Sequence, residues 1–372
     1  MKNIRKFETT ADMDSAVLED VSVSYVNEND KVYTISENGG QDVVDYSSQY
    51  LTFEAIEDST FKLTRNACEY SLDEGETWTS LSGGTNTPTV SAGNKIMFKA
   101  TNPSISESWG IGAFSSTGKF KVEGNIMSML YGDYFVNKND LSDKNFAFRN
   151  LFRDCTNVIE AHNLILPATM LSTYCYGNLF FMCSSLTTAP SFPATTLAKN
   201  CYTQMFRDCT SLTTAPELPA TTLADNCYES MFEGCTSLTK APELPATNMY
   251  VECYRTMFKG CTSLVKAPQL PATKLRYLCY NNMFLNCTSL TTAPELPATT
   301  LIDSCYSYMF YGCTSLNHIT MLATDISASD CLSYWVGGVS PTGTFVKHPN
   351  MTSLPTGTSG IPKDWTVEDA VL

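Results

Sequence analysis

The chain has 372 residues, 43% hydrophobic content and a formal net charge of −14. That is enough apolar material for more than one buried core, and no run of eighteen apolar residues offers a membrane-spanning helix. The negative balance argues against non-specific nucleic-acid binding, which needs clustered Lys and Arg to neutralise phosphates.

Much of the negative charge comes first. Residues 1 to 60 hold thirteen acidic and four basic side chains, a net of 4 − 13 = −9. The start, "MKNIRKFETTADMDSAVLED", turns acidic where a secretory peptide needs its apolar segment, which predicts folding in a cytoplasm. Residues 1–48, with "VSVSYV" and "KVYTIS" as candidate strands, read as an acidic docking arm.

Residues 49–125 change texture. Short alternating segments such as "YLTFEAI", "FKLTRN", "TWTSL" and "NKIMFKA", separated by Gly, Asn, Asp and Ser, predict a small antiparallel β domain. Within it, Ser71, Asp73, Gly75, Thr77 and Trp78 follow the Asp-box pattern S-x-D-x-G-x-T-W. That pattern is familiar from sialidases, but it is a hairpin-turn motif and occurs once. No paired carboxylates accompany it to support glycoside hydrolysis. Residues 126–147 are expected to cap the repeats that begin after them.

From residue 148 the sequence repeats itself. One cysteine column, Cys155, Cys183, Cys209, Cys235, Cys261, Cys287 and Cys313, steps by 28 once and then by 26. A second column, Cys175, Cys201, Cys227, Cys253, Cys279, Cys305 and Cys331, steps by 26 throughout. A fixed period of this length predicts a solenoid whose units bury their apolar faces against one another. Within one unit, Thr221 or Thr222 is expected to cap a helix that presents Cys227, Tyr228, Met231, Phe232 and Cys235 on one face. Gly234, Gly260 and Gly312 are expected to stop it. "SLTTAPEL" then predicts two to four residues of parallel strand, ended by Pro216, which lacks an amide donor. The repeats span 148–333, and 334–372 is expected to form a C-terminal cap in which "VGGVSPTGTFVKHPN" replaces the return strand.

The cysteine pairs admit four readings. Zinc is disfavoured because there is no C-x2-C and only three His. Redox chemistry would need a C-x-x-C or a thiol in a cationic, exposed setting. Disulfides along a column fit the spacing of adjacent turns, but seven members leave one unpaired. Stacked, buried thiols acting as small apolar side chains fit best, so no metal and no cofactor is expected.

Two faces remain for recognition. On the strand side, Lys240 and Lys266 stand in one exposed column, with Glu217, Glu243 and Glu295 three positions on. On the helix side the units differ, and Tyr250, Arg255, Arg276, Tyr277 and Tyr308 bring side chains that anchor interfaces.

The recurring "F-x-x-C-T-S-L" of Phe206–Leu212, Phe232–Leu238 and Phe258–Leu264, followed by Leu-Pro, resembles the BspA-type leucine-rich repeat of surface proteins from gut and oral anaerobes and their phages. This unit is longer than is usual there, and carries "APELPA" where a β-branched strand is commoner. The order of arm, β domain and repeats is similar to virion and tail-associated proteins of phages infecting gut Bacteroidales. The resemblance implies a non-enzymatic virion protein, held to other virion proteins by its arm. Its leucine-rich-repeat solenoid would face a host-surface glycan or protein, with self-association left open. The alternative is a bacterial surface or secreted adhesin. Neither reading involves nucleic acid or membrane insertion.

Overall fold

The computed structural model describes residues 24–26, 32–35, 41–42, 46–102 and 112–371. Most of the expected acidic arm therefore lies outside the described residues. Within it, β1 (Ser24–Val26), β2 (Val32–Ile35) and β3 (Gln41–Asp42) pair antiparallel in that order.

The next region is antiparallel, as the alternation implies. Its strands are β4 (Leu51–Ala55), β5 (Phe61–Leu63), β6 (Cys68–Ser71), β7 (Thr79–Leu81), β8 (Lys95–Lys99), β9 (Phe114–Ser116) and β10 (Phe120–Asn125). The main sheet runs β11-β10-β4-β8-β6-β7, where β11 is Val158–Ile165, and β5 pairs with β9 separately. Alternate residues of both sheets meet at Phe53, whose ring centroid lies 4.8 to 5.8 Å from those of Phe61, Phe98, Phe114, Phe120 and Phe152. Neither sheet closes into a barrel. A short α1 (Ser128–Tyr131) packs behind β8, and the Ser128 hydroxyl donates to the Phe98 carbonyl.

One sheet crosses the boundary expected between the β domain and the repeats. β10 pairs parallel with β11, Phe120 opposite Val158 and Asn125 opposite Ile165, and Phe114 stacks on Phe152. The two cores are therefore continuous.

The repeated copies contain no helix, which corrects the sequence reading. Among the described residues of 148–333, the stretch expected to be helical is a run of linked turns. Asn226, Ser230 and Gly234 all take positive φ (56°, 53° and 74°). The same left-handed step recurs every four residues in the neighbouring copies, at Asn200, Gln204 and Asp208 and at Glu252, Thr256 and Gly260. A right-handed helix cannot contain such residues. The pattern i, i+1, i+4, i+5, i+8 has a period of four, and four residues bring the chain back to the same face because each unit is a turn rather than 3.6 residues of helix. Cys227, Tyr228, Met231, Phe232 and Cys235 are accordingly all buried. Gly234, Gly260 and Gly312 are the third left-handed step of their run and not helix ends. Thr222 caps nothing; it pairs with Thr196 in a parallel bridge.

The backbone hydrogen bonds explain why this run is stable. Odd-numbered amides bond locally, as Cys227 to the Ala224 carbonyl, Glu229 to Asn226 and Met231 to Tyr228. Even-numbered amides bond to the next copy: Tyr228 to the Cys253 carbonyl (3.1 Å), Ser230 to Arg255 (2.9 Å), Phe232 to Met257 (2.9 Å) and Gly234 to Lys259 (2.8 Å). Every donor has a partner, and half of the partners lie in the adjacent copy, so no copy can satisfy its buried amides alone.

The opposite side of each copy holds single bridges where the sequence predicts a short strand. Thr214 bridges Lys240, Lys240 bridges Lys266, Lys266 bridges Thr292 and Thr292 bridges His318. Proline is the reason. Pro216, Pro242, Pro268 and Pro294 stand two residues after each bridge and remove the next donor. Where the register carries another residue, strands form: His162 in β11, and Thr320 in β12 (His318–Met321). The segment expected to replace the return strand continues it, as β13 (Thr344–Lys347) pairs parallel and in register with β12. β14 (Thr366–Asp369) then forms the exposed edge. Trp335 and Trp365 close this end by donating to the Gly360 and Ser340 carbonyls. The chain is thus mostly β with few helices, combining an antiparallel and a parallel sheet.

Candidate functional site

The cysteines face inward. All fifteen are free and buried. In the first column the thiols from Cys183 onward donate to the carbonyl of a phenylalanine 29 to 31 residues earlier: Cys183 to Phe152, Cys209 to Phe180, Cys235 to Phe206 and Cys261 to Phe232, at 3.0 to 3.1 Å. Burial pushes the thiols of Cys155, Cys175, Cys253, Cys305 and Cys313 up to about 12. A thiol held protonated in this way is neither a nucleophile nor a metal ligand at neutral pH. Among the described residues no three His, Cys, Asp or Glu side chains converge as a metal site would require.

Between the cysteines run two ring columns. Tyr202, Tyr228, Tyr254 and Tyr280 stack with centroids 5.9 Å apart, and Phe206, Phe232 and Phe258 at 5.7 Å. These tyrosines are buried, so they belong to the core.

On the bridge side, Lys240, Lys266, Glu217, Glu243 and Glu295 are exposed. Lys240 and Lys266 are direct bridge partners, which sets two like charges side by side. The Glu column, interrupted by Gln269, presents an acidic edge along the copies.

The turn-run side is varied. Arg255 is drawn into a network: its guanidinium lies 3.2 Å from Glu229 and 3.0 Å from Glu252, and the Asn226 amide donates to Glu252. Burial raises the Glu229 carboxyl, with the nearby Arg255 opposing it. A second network joins Arg207 and Lys259 to the nearly buried Glu233. Tyr250 and Tyr277 are 40% and 48% exposed, and Arg276 is exposed in the register of Tyr250. These three residues occupy neighbouring copies as the sequence spacing implies.

Tyr308 belongs to a larger group. Its ring stacks on Tyr334 at 5.3 Å and lies 5.7 Å from Tyr311. Sequence reasoning misses Tyr311 and Tyr334, although they stand three and twenty-six residues after Tyr308, the two spacings that this backbone brings together.

The β region has a separate feature. Ser71 and Asp73 close the Asp-box turn: the Thr77 hydroxyl and amide both donate to Asp73 at 2.6 and 2.9 Å, and the Gly75 amide donates to Ser71. The Thr77 bonds hold the Asp73 carboxyl down at about 2. The turn places Trp78 beneath the buried Lys99 ammonium, 4.2 Å from the ring centroid, and Lys99 pairs with Asp133 at 2.7 Å. A depression of about 370 Å³ opens beside it, bounded by Glu69, Asn102, Tyr131 and Tyr134. Lys99 is fully engaged there, so the arrangement holds the loop of Asp133 against the sheet rather than offering a free amine.

No helix among the described residues is long and apolar enough to cross a membrane. No family model matches the chain, and no curated protein matches it.

Proposed function

We propose that this chain is a non-enzymatic recognition protein of a phage particle, built on a leucine-rich-repeat-like solenoid of about seven 26-residue units. Its outward face would bind a glycan or protein of the host surface. One observation carries the reading. In each copy the thiols, tyrosines and half of the turn-run amides are given over to packing or to the adjacent copy, whereas Tyr250, Arg276, Tyr277 and Tyr311, at positions that differ between copies, are exposed. Such an arrangement is a display surface whose scaffold and contact residues are separate sets. Solenoids present extended surfaces of this kind.

The particle assignment rests on the likeness of the repeats, and of the order arm, β domain, repeats, to phage virion proteins. The same repeats favour a second reading, a bacterial surface adhesin. Mass spectrometry of particles purified from a lysate of the source separates them. The chain should co-purify with the capsid in fixed proportion, and particles that lack it while intact cells display it would establish the adhesin.

A further inference from the structure

At the C-terminal end of the turn-run side, three tyrosines form one cluster outside the core. Tyr308 stacks on Tyr334 with 20° between ring planes and meets Tyr311 at 54°. Tyr311 is 41% and Tyr334 49% exposed. Gly337 gives the cluster its shape, because a Cβ there would come within 2.7 Å of the Tyr311 ring. Preceding copies carry Tyr311, Leu285 and Lys259 in the register of Gly337. The ring of Tyr311 therefore lies down over a position that only glycine leaves open.

The backbone makes the cluster more unusual. Tyr308 and Tyr334 sit at φ 54° and 50°, in the register that Gln204, Ser230, Thr256 and Asn282 occupy elsewhere. Asn tolerates this left-handed conformation, whereas a bulky aromatic there is strained. The turn run imposes this conformation on every copy, as at Leu278 and Tyr174, so the strain belongs to the scaffold; what distinguishes Tyr308 and Tyr334 is that two aromatic rings in this register stack on each other outside the core.

We infer that Tyr308, Tyr311 and Tyr334 form a platform for a neutral pyranose ring of a surface glycan, an inference that rests on reading the chain as a binding protein. The apolar C–H face of a sugar packs on aromatic faces, and the phenol hydroxyls have no protein partner among the described residues and can bond its hydroxyls. Charge selects against anionic sugars. The last two turn runs, 304–313 and 330–338, contain no Lys or Arg and carry Asp330 beside Tyr334, so nothing would pair with a sialic acid, sulfate or phosphate. Size selects against a protein partner. Three part-exposed rings offer on the order of 200 Å² of aromatic surface, whereas a stable protein interface covers about 800 Å² on each partner.

The test uses the full chain in affinity electrophoresis through gels containing yeast mannan, xylan, dextran or arabinogalactan, with heparin as the anionic control. The variants take residues from other copies, so each is known to fit its register: Tyr308→Asn, Tyr311→Leu and Tyr334→Ser. At least one neutral polysaccharide should retard the parent chain. Each variant should weaken that retardation about tenfold, the loss expected for one aromatic contact of about 1.4 kcal/mol. Lys62→Ala, in β5 of the antiparallel region, should leave it unchanged. Thermal unfolding of Tyr308→Asn should occur at an equal or higher temperature, because the backbone strain is relieved. Retardation that survives the triple variant would overturn the platform while leaving the binding function in place. Retardation by no neutral gel, or by heparin alone, would also overturn it. So would a change of sedimenting mass in the variants without any effect on carbohydrate, which would make the cluster a contact between copies of the chain.

Discussion

The Cys235 thiol donates to the Phe206 carbonyl at 3.1 Å, and the same carbonyl accepts the Cys209 amide at 3.1 Å. A carbonyl has two lone pairs, and here the second is satisfied by a side chain from the next copy. This gives cysteine a use that alanine lacks and serine would meet only with a more polar group. Cys235→Ala should cost about 1 kcal/mol for the bond, with a further loss for the missing sulfur volume. Cys235→Ser should retain the bond and fall between the two. Denaturant melts of the three proteins check the order, and an alanine variant as stable as the parent would show that the thiol bond contributes nothing.

The thiols also set how the protein responds to alkali. An unfolded thiol loses its proton above its ordinary value of 9.0, while burial keeps Cys155, Cys175, Cys253, Cys305 and Cys313 protonated to about 12. Cys201, Cys209, Cys261 and Cys279 are pushed further in the same direction. Above 9.0 the folded state therefore binds more protons than the unfolded one, and stability falls as pH rises. Below it both states are protonated and the thiols contribute no pH dependence. Each buried thiol removes about 1.4 kcal/mol per pH unit in that window. With this many acting together, the protein should unfold within about one pH unit above the thiol value. Circular dichroism against pH reads the midpoint, and proton release on unfolding at fixed alkaline pH gives the slope. A structure that persists past about pH 11 would contradict so many buried, protonated thiols.

Glycines at matched positions should behave differently for a reason visible in their surroundings. Gly234 and Gly260 share φ 74°. A Cβ on Gly260 would approach nothing nearer than 3.8 Å, while one on Gly234 would meet the Asp208 carboxylate at 2.1 Å. Gly260→Ala should cost about 1 kcal/mol, the left-handed conformation alone. Gly234→Ala should cost more, because Asp208 must also leave its place beside Arg207. Chemical denaturation of both variants tests the order, and equal costs would mean that Asp208 moves freely.

The sequence carries the inventory of the core but misleads on its geometry. Cys227, Tyr228, Met231, Phe232 and Cys235 are legible as buried because repetition at 26 residues needs a shared core, whatever the local backbone. The helix reading fails because periods of about 3.6 and about 4 differ by less than one residue over a stretch this short. The discriminating signal recurs at spacings of eight or four residues: Asn226 and Gly234, Asn200 and Asp208, Asn282 and Asn286, types that tolerate positive φ. Proline marks where each strand must end but not that the expected two to four residues shrink to single bridges, and β13 escapes notice because its register with β12 is shown by spacing, not by similarity. Of the residues singled out for binding, Tyr250, Arg276 and Tyr277 are exposed as the sequence implies. The engagement of Arg255 with Glu229 and Glu252 is not recognisable without the turn-run spacing. Tyr311 and Tyr334 join Tyr308 only once the four-residue turn replaces the helix.

The buried tyrosine column supplies the last test, because its rings are satisfied and its hydroxyls are not. Tyr254 stacks between Tyr228 and Tyr280 at 5.9 Å on each side, yet its hydroxyl is buried with no hydrogen-bond partner among the described residues, as are those of Tyr202 and Tyr280. A buried hydroxyl without a partner destabilises by about 1 to 3 kcal/mol. Tyr254→Phe removes it while keeping the stack, so the variant should be as stable as the parent or more stable by about 1 kcal/mol. Tyr254→Ala removes the ring as well and should cost about 3 to 5 kcal/mol. Because each copy leans on its neighbours, that loss should lower the stability of the whole repeat region rather than of one copy. Thermal melts of the two variants decide the matter. A phenylalanine variant weakened by more than about 1 kcal/mol would mean that the column's hydroxyls do find partners, for which a file of ordered water between copies is the available chemistry.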